Sequence, residues 1–329
     1  MRILIADRSR IALVQLERKL AKQGIDVVHQ TSSLASVYDY SEHHQPDCVI
    51  LSMDLADCPE FELLASLFAI LGITCLLTTT SIYQTIPAAA AKANPDIRCI
   101  SQDASDTAIM LAMRRSKMQR HESLSTAKQS TASHTDPRAI ILIGSSTGGI
   151  DALMQILRHF NKDSPPTMIV QHTGGQFAES LIRLMNGATQ AQVVAAAQNA
   201  VLRPGHIYLS ATDTHHIQLA ANAPLRIRLN DAPRISGHRP SIDALFQSAI
   251  NHAPNVSAAI LTGMGRDGAE GITALRQAGA RTVGQDEQSC VVYGMPRIAK
   301  LLGGIEKELP ITQIGPALLS AQTHKARQP

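Results

Sequence analysis

Three short segments of the sequence hold side chains that could carry out nucleophilic catalysis, and two of them are rich in glycine. Each follows an apolar run typical of a β-strand. They are GSSTGG at 144–149, QHT at 171–173 and TGMGRDG at 262–268. In an open parallel sheet, ligands bind at the carboxyl ends of the strands. We therefore expect Ser146, His172 and Asp267 to lie at one sheet edge, where together they could act as nucleophile, base and orienting acid.

Ser146 is the central residue of a G-x-S-x-G pattern between a predicted strand and a predicted helix. Small neighbours allow a sharp turn that projects the hydroxyl from the sheet edge. The free N–H groups at the start of the helix suit a developing oxyanion. The alternative is a glycine-rich turn that only packs helix on strand or cradles a phosphate, although the segment lacks the lysine of a P-loop.

His172 and Asp267 could complete the catalytic set. Imidazole is the usual base for a serine, and its place after a neighbouring strand favours His172 over the other histidines of the second half. Asp267 could orient that imidazole, although capping of the helix that begins near Ala269 explains it equally well. The chain order Ser, His, Asp disfavours the α/β-hydrolase fold, in which the acid precedes the histidine.

Short apolar runs alternate with helical periodicity in both halves of the chain, which predicts two doubly wound, mostly parallel α/β domains. The expected strands are 2–6, 25–28, 48–51, 73–78 and 97–101 in the first half, and 140–143, 167–170, 192–195, 206–210, 227–229, 258–262 and 281–283 in the second. Apolar residues at helical spacing from Ile242 to Ile250 predict a helix. The apolar stretch 63–77 is too short to span a membrane, and we expect a buried helix and strand divided by Gly72.

The length of 329 residues exceeds what one hydrophobic core usually organises. We predict a first domain at 1–113, a linker at 114–137 and a second domain at 138–322. The linker is rich in Ser, Thr, Lys and Gln and nearly lacks large apolar residues.

The composition disfavours several classes of function. Aromatic residues make up 3% of the chain, Trp is absent and the net charge is only +3, so nucleic-acid binding is not expected. The five cysteines are dispersed and lack zinc-site spacing, which suits a reducing cytoplasm. We expect a cytoplasmic protein without membrane insertion.

Further motifs accompany the three segments: LRPGHIY at 202–208, HRPSID at 238–243 and YGMP at 293–296. With these motifs the chain resembles the chemotaxis protein-glutamate methylesterase family over nearly its whole length. The resemblance implies that Ser146 is the nucleophile, His172 the base and Asp267 the orienting acid, with the Met264 N–H and the turn at Thr147 forming the oxyanion site. We interpret HRPSID as a loop that leads into a helix capped by Ser241, with lining of the site as the alternative.

The same resemblance implies hydrolysis of glutamyl methyl esters on the cytoplasmic helices of methyl-accepting chemoreceptors, and deamidation of receptor glutamines as a second reaction. It implies no metal and no organic cofactor. A chemosensory histidine kinase or another regulatory protein is a further expected partner. An esterase or amidase for another protein substrate, and a non-catalytic α/β binding module, are the competing interpretations.

The first domain resembles a response-regulator receiver in strand order but lacks the residues for phosphoryl transfer. A receiver needs clustered carboxylates for Mg²⁺ and an aspartate that forms an acyl phosphate. Here Arg8 follows Asp7 where a second acid is expected, Ser52 stands at the acceptor position, and Gln102 replaces the usual lysine. We expect this domain to regulate or dock by protein contact.

Incubation with acetyl phosphate and Mg²⁺ should therefore leave the protein unlabelled, because a serine cannot form the usual acyl phosphate and Arg8 repels the cation. Stoichiometric incorporation of phosphate, measured by intact mass, would contradict this assignment.

Overall fold

The computed structural model describes residues 1–58, 60–80, 84–115, 138–173, 177–210, 212–220 and 224–320. The chain divides into two compact units, residues 1–129 and 130–329. Each unit contains its own parallel sheet, which confirms the predicted fold class. The predicted domain limits remain a prediction, since residues 116–137 of the expected linker lie outside the described residues.

The first unit is a five-stranded parallel sheet in the order β2-β1-β3-β4-β5. Its strands are β1 Arg2–Ala6, β2 Asp26–Thr31, β3 Cys48–Ser52, β4 Thr74–Thr79 and β5 Arg98–Ser101. Its helices are α1 Arg10–Ala21, α2 Leu34–His44, α3 Met53–Ala56, α4 Phe61–Leu71, α5 Ala88–Ala93 and α6 Asp106–Arg115. This strand order is the one that flavodoxin-like folds and receivers share, as the sequence predicted.

Local signals in the sequence explain where these elements begin and end. The Ser9 hydroxyl accepts a hydrogen bond from the Ala12 N–H and caps α1. Gly72 ends α4 in the left-handed conformation, with φ of 72°, which a residue without Cβ adopts at little cost. The apolar stretch 63–77 thus forms most of α4 and β4, and among the described residues no helix is both long and apolar enough to cross a bilayer.

Arg8 lies just beyond the carboxyl end of β1, and Ser52 is the last residue of β3. The Arg8 guanidinium donates to Cys58 Sγ at 3.1 Å. Ser52 is buried, and its hydroxyl has no hydrogen-bond partner among the described residues. Thr78, on the neighbouring strand, donates to the Leu51 carbonyl at 3.2 Å.

The second unit is built on a seven-stranded parallel sheet in the order β14-β13-β12-β6-β7-β9-β8, with a separate antiparallel pair, β10 and β11. The strands are β6 Ile140–Ser145, β7 Thr167–Gln171, β8 Gln192–Ala195, β9 His206–Leu209, β10 His216–Leu219, β11 Ile227–Asn230, β12 Val256–Ile260, β13 Arg281–Gln285 and β14 Lys307–Leu309. The helices are α7 Gly149–Leu157, α8 Ala178–Asn186, α9 Ile242–Ser248, α10 Ala269–Gln277, α11 Met295–Leu301 and α12 Ile311–Ser320.

The central strand of this sheet is β6, the first strand of the unit. The chain proceeds from β6 to β7 on one side and returns later to β12 on the other side. The strand order therefore reverses at β6, and a crevice for ligands is expected beyond its carboxyl end. Both β6 and β7 are buried on both faces, which fixes this edge of the sheet rigidly.

Two strands and several boundaries differ from the sequence-based expectation. The strands β10 and β14 were not predicted, because each has only three or four residues without a long apolar run. The predicted strand 258–262 forms, but it ends at Ile260, so that Thr262 already belongs to the following loop. The predicted helix from Ile242 ends at Ser248, and a 3₁₀ turn that contains Pro254 follows it.

The packing of α9 against α10 depends on Gly271, where a Cβ would lie 2.8 Å from Phe246 Cβ and 3.1 Å from the Asp243 carbonyl. We expect Gly271→Ala to lower the free energy of unfolding by about 1–3 kcal/mol, because neither neighbour can move easily. Gly187→Ala is the control: Gly187 has right-handed φ of −71° and no atom nearer to the added Cβ than 3.3 Å. Equal effects of the two changes in urea denaturation would contradict the packing argument.

Candidate active site

The turn that carries Ser146 joins β6 to α7 and depends on glycine. Gly148 has φ of 78°, and a Cβ there would lie 2.5 Å from Val291 Cβ. A Cβ on Gly149 would lie 2.8 Å from Ser145 Cβ. The chain therefore reverses sharply just beyond the sheet edge, and Ser146 is half-buried at the carboxyl end of the central strand.

Gln171 holds this turn against the end of β7. The Ser145 hydroxyl donates to Gln171 Oε1 at 2.6 Å, and Gln171 Nε2 donates to the Ser146 carbonyl at 3.0 Å. The His172 N–H donates to the Ser145 carbonyl at 3.1 Å. The main chains of Ser146 and His172 are therefore fixed side by side.

His172 and Asp267 are in direct contact. His172 Nε2 lies 2.9 Å from Asp267 Oδ2, and the two residues are 95 positions apart in the chain. The second ring nitrogen, Nδ1, is buried and has no hydrogen-bond partner among the described residues. The structure thus brings His172 and Asp267 together, and within the described chain no hydrogen bond yet joins the Ser146 hydroxyl to Nδ1.

The Asp267 carboxylate is 1% exposed and is surrounded by donors. Besides the imidazole, it accepts hydrogen bonds from the Ser241 hydroxyl at 2.7 Å, the Ile242 N–H at 2.8 Å and the Asp243 N–H at 3.2 Å. Burial by itself raises the pKa of Asp267, but the hydrogen bonds from His172, Ile242 and Ser241 outweigh it and hold the pKa below its usual range. The residue is therefore built to remain ionised.

The segment HRPSID contributes more than the predicted helix cap. Ser241 does cap α9, accepting from the Ala244 N–H, but the same hydroxyl donates to Asp267. The His238 ring stacks on the His172 ring, with centroids 3.9 Å apart and planes 4° from parallel. Burial, and then the charge of His172, lowers the pKa of His238, partly offset by the Asp267 carboxylate. His238 and Ser241 therefore line the site, which was the alternative interpretation of this segment.

The loop after β12 places Met264 at the surface beside this cluster. The Met264 side chain is 74% exposed, and no described residue accepts a hydrogen bond from its N–H. The neighbouring Gly263 is fixed at both ends: its N–H donates to the Val292 carbonyl, and its carbonyl accepts from the Met295 N–H, each at 3.0 Å. Thr147 is half-buried on the opposite segment of chain.

Other polar groups near the site have structural partners. His216 is buried, accepts the Ser241 N–H at Nδ1 and contacts the Pro233 carbonyl through Nε2. It therefore supports the start of α9. Across the described parts of the chain, no cluster of three or more His, Cys, Asp or Glu side chains is arranged to hold a metal ion.

A family model described as CheB methylesterase matches residues 141–318, the segment that contains every residue of the site. The chain belongs to the CheB methylesterase family. A protein-glutamate methylesterase/protein-glutamine glutaminase 2 of Syntrophomonas wolfei is 32% identical over 327 residues, 96% of each chain. The family therefore accounts for nearly the full length of the sequence.

Other similarities concentrate on the second unit. Protein-glutamate methylesterases/protein-glutamine glutaminases of Agrobacterium fabrum and Caulobacter vibrioides are 46% and 45% identical over 187 and 182 residues. The match covers about half the length of these CheB relatives, 53% of each. The crystal structure of the Thermotoga maritima CheB methylesterase catalytic domain superimposes with a TM-score of 0.54 at 31% identity, covering 56% of this chain and 98% of that one.

A second buried carboxyl, Asp243, lies beside the charged Asp267 and accepts the Gly271 N–H at 2.7 Å. Burial, reinforced by the Asp267 charge and partly offset by that hydrogen bond, raises the pKa of Asp243 from 3.8 to about 6. The folded state therefore binds this proton more tightly than the unfolded state. The stability that this proton provides is fully present below the pKa of Asp243 in the unfolded state. It is lost as the pH rises through the pKa of Asp243 in the folded state.

Asp243→Asn should consequently gain stability relative to the original protein as the pH rises. Between about pH 5 and pH 8, we expect the unfolding free energy of the variant to rise by about 1–2 kcal/mol relative to that of the original protein. Denaturant titrations at both pH values measure it, and a difference independent of pH would contradict the assignment.

Proposed function

We propose that this protein is a protein-glutamate methylesterase that removes methyl esters from glutamyl residues of methyl-accepting chemoreceptors. The observation that carries the proposal is the contact of His172 with the buried, ionised Asp267 beside the Ser146 turn, at the point where the strand order reverses. The names of the relatives support the choice of substrate.

In the proposed reaction the Ser146 hydroxyl attacks the ester carbonyl while His172 Nδ1 takes its proton. Asp267, hydrogen-bonded to Nε2, stabilises the imidazolium. The N–H of Met264 and the turn at Thr147 hold the oxyanion. The imidazolium then protonates the departing methoxide, so that methanol is released and the glutamyl group remains bound to Ser146 as an acyl-serine. A water molecule then attacks the acyl carbon while the same nitrogen takes its proton. The bond to the Ser146 oxygen breaks, the imidazolium returns the proton to that oxygen, and the glutamyl carboxyl group is released.

The missing contact between the Ser146 hydroxyl and Nδ1 is compatible with this role. Catalytic hydrogen bonds are often long in unliganded sites and close in the substrate complex. The closeness of the two main chains, fixed by the His172 N–H and Gln171, leaves only side-chain rotation to complete the contact.

The same steps would deamidate a receptor glutamine, with ammonia leaving in place of methanol. Both reactions need only the residues named, without a metal or an organic cofactor. We also propose that the substrate is a cytoplasmic helix of the receptor. The receiver-like unit would act by contact with a chemosensory kinase or another regulatory protein, since Ser52 and Arg8 replace the phosphorylation chemistry.

Methanol release from methylated receptor tests the proposal. Ser146→Ala should lower the rate by roughly 10³-fold or more, because the nucleophile is lost. Ser145→Ala is the matched control. It removes an adjacent buried hydroxyl whose one hydrogen bond among the described residues is to Gln171, and we expect a loss of about tenfold or less.

Three outcomes would separate the competing interpretations. Equal release by the original protein and Ser146→Ala would show that Ser146 is not the nucleophile. Hydrolysis of other protein esters without activity on receptors would favour an esterase of different specificity. Absence of both activities in folded protein would favour a binding module.

A further inference from the structure

Thr262 is a fully buried residue that connects three segments around the proposed site. It stands between β12 and the loop that carries Met264 and Asp267. The second segment is the Ser146 turn, and the third is the loop 286–294, which precedes α11. No role in catalysis follows from its position in the TGMGRDG motif alone.

The hydroxyl of Thr262 has three well-placed partners. It donates to the Thr147 carbonyl at 2.9 Å, with the Val292 carbonyl more distant at 3.3 Å. It accepts hydrogen bonds from the N–H groups of Val291 and Val292 at 3.1 and 2.9 Å. One oxygen therefore ties the residue after the nucleophile to a loop more than 140 positions later in the chain.

The main chain of Thr262 reinforces the same junction. Its carbonyl accepts the Ser146 N–H at 3.1 Å, and its N–H donates to Gln285 Oε1 at 2.8 Å. Gln285 is buried at the end of β13 and donates in turn to the Ser289 carbonyl. The junction is thus anchored on two strands of the sheet.

The space around the Thr262 hydroxyl is too small for a side chain on either neighbouring glycine. A Cβ on Gly148 would lie 3.1 Å from Thr262 Oγ1, and a Cβ on Gly263 would lie 2.7 Å from Ser146 Cβ. The Ser146 turn and the Gly263 segment are therefore in close contact, and the Thr262 hydroxyl lies in the seam between them.

We propose that Thr262 is a positioning residue that fixes the distance between the Thr147 turn and the Met264 N–H, the two parts of the oxyanion site. This inference rests on the proposed function. Its physical basis is that a donor stabilises an oxyanion only when held at hydrogen-bond distance from where the charge develops. Among the described residues, Thr262 is not one of the hydrogen-bond partners of Asp267.

Thr262→Val tests the proposal, because valine keeps the shape and removes the hydroxyl. We expect kcat for receptor demethylation to fall about 10²-fold with KM nearly unchanged, since the lost interaction matters mainly in the transition state. Thr262→Ser, which restores the hydroxyl, should recover kcat to within about fivefold of the original protein. If the valine variant fails to fold, the pair Thr262→Ser and Thr262→Ala makes the same comparison.

Thr282→Val is the control for a purely structural effect. Thr282, in β13, is also fully buried, and its hydroxyl accepts the Glu306 N–H at 3.0 Å, away from the proposed site. We expect it to lower the melting temperature like Thr262→Val while leaving kcat unchanged. A loss of kcat in both variants in proportion to their loss of stability would overturn the positioning role.

The rate of covalent inactivation by a small serine-directed phosphonate supplies a second readout, because its phosphoryl oxygen occupies the oxyanion site. This rate should fall in Thr262→Val in parallel with kcat. Folded Thr262→Val with unchanged inactivation and unchanged kcat, or a serine variant as impaired as the valine one, would refute the proposal. Failure of the proposed function itself would appear differently, as Ser146→Ala retaining both activity and labelling.

Discussion

The carboxylate of Asp267 is almost completely removed from solvent, and such a charge persists in a protein interior only when donors surround it. Four donors do so: one from the imidazole of His172, and three from Ser241, Ile242 and Asp243 at the start of α9. The charge thereby fixes two distant segments against the end of β12. Removal of either set of donors would leave a buried charge under-solvated, so the geometry of the site and the position of α9 depend on one interaction.

The catalytic candidates could be found from sequence because they lie in three segments that follow apolar strands, and two of these segments are rich in glycine. Ser146, His172 and Asp267 each follow an apolar run, and the topology of a parallel sheet brings such positions to one edge. The partners of Asp267 could not be found in this way. Ser241 has the local pattern of a helix cap, and it is one, but nothing near it in sequence indicates that its hydroxyl also reaches a carboxylate 26 positions later. The stacking of His238 is equally a product of tertiary structure.

The fold was predictable to a similar degree and for a similar reason. Buried strands of a parallel sheet are apolar on both faces, so β6 and β7 stand out as continuous runs. The strands β10 and β14 do not, because they are short: β10 has four residues in a two-stranded pair, and β14 has three residues at a sheet edge, none of them fully buried. Strand ends shifted by one to three residues, since the last hydrogen bonds of a ladder depend on the neighbouring strand rather than on local propensity.

The orientation of the His172 ring makes the proposed site sensitive to the register of β7 on β6. With Nε2 on the carboxylate, the nitrogen left for the serine is Nδ1, which is bonded to Cγ and lies nearer the main chain. Rotation of the His172 side chain would withdraw Nε2 from Asp267, so the contact with Nδ1 has to come from rotation of the Ser146 side chain. The distance between His172 and Ser146 therefore depends on the register of β7 on β6, in which Gln171 lies beside Ser145. A slip of one residue would separate them by a full strand step, with no rotamer able to compensate.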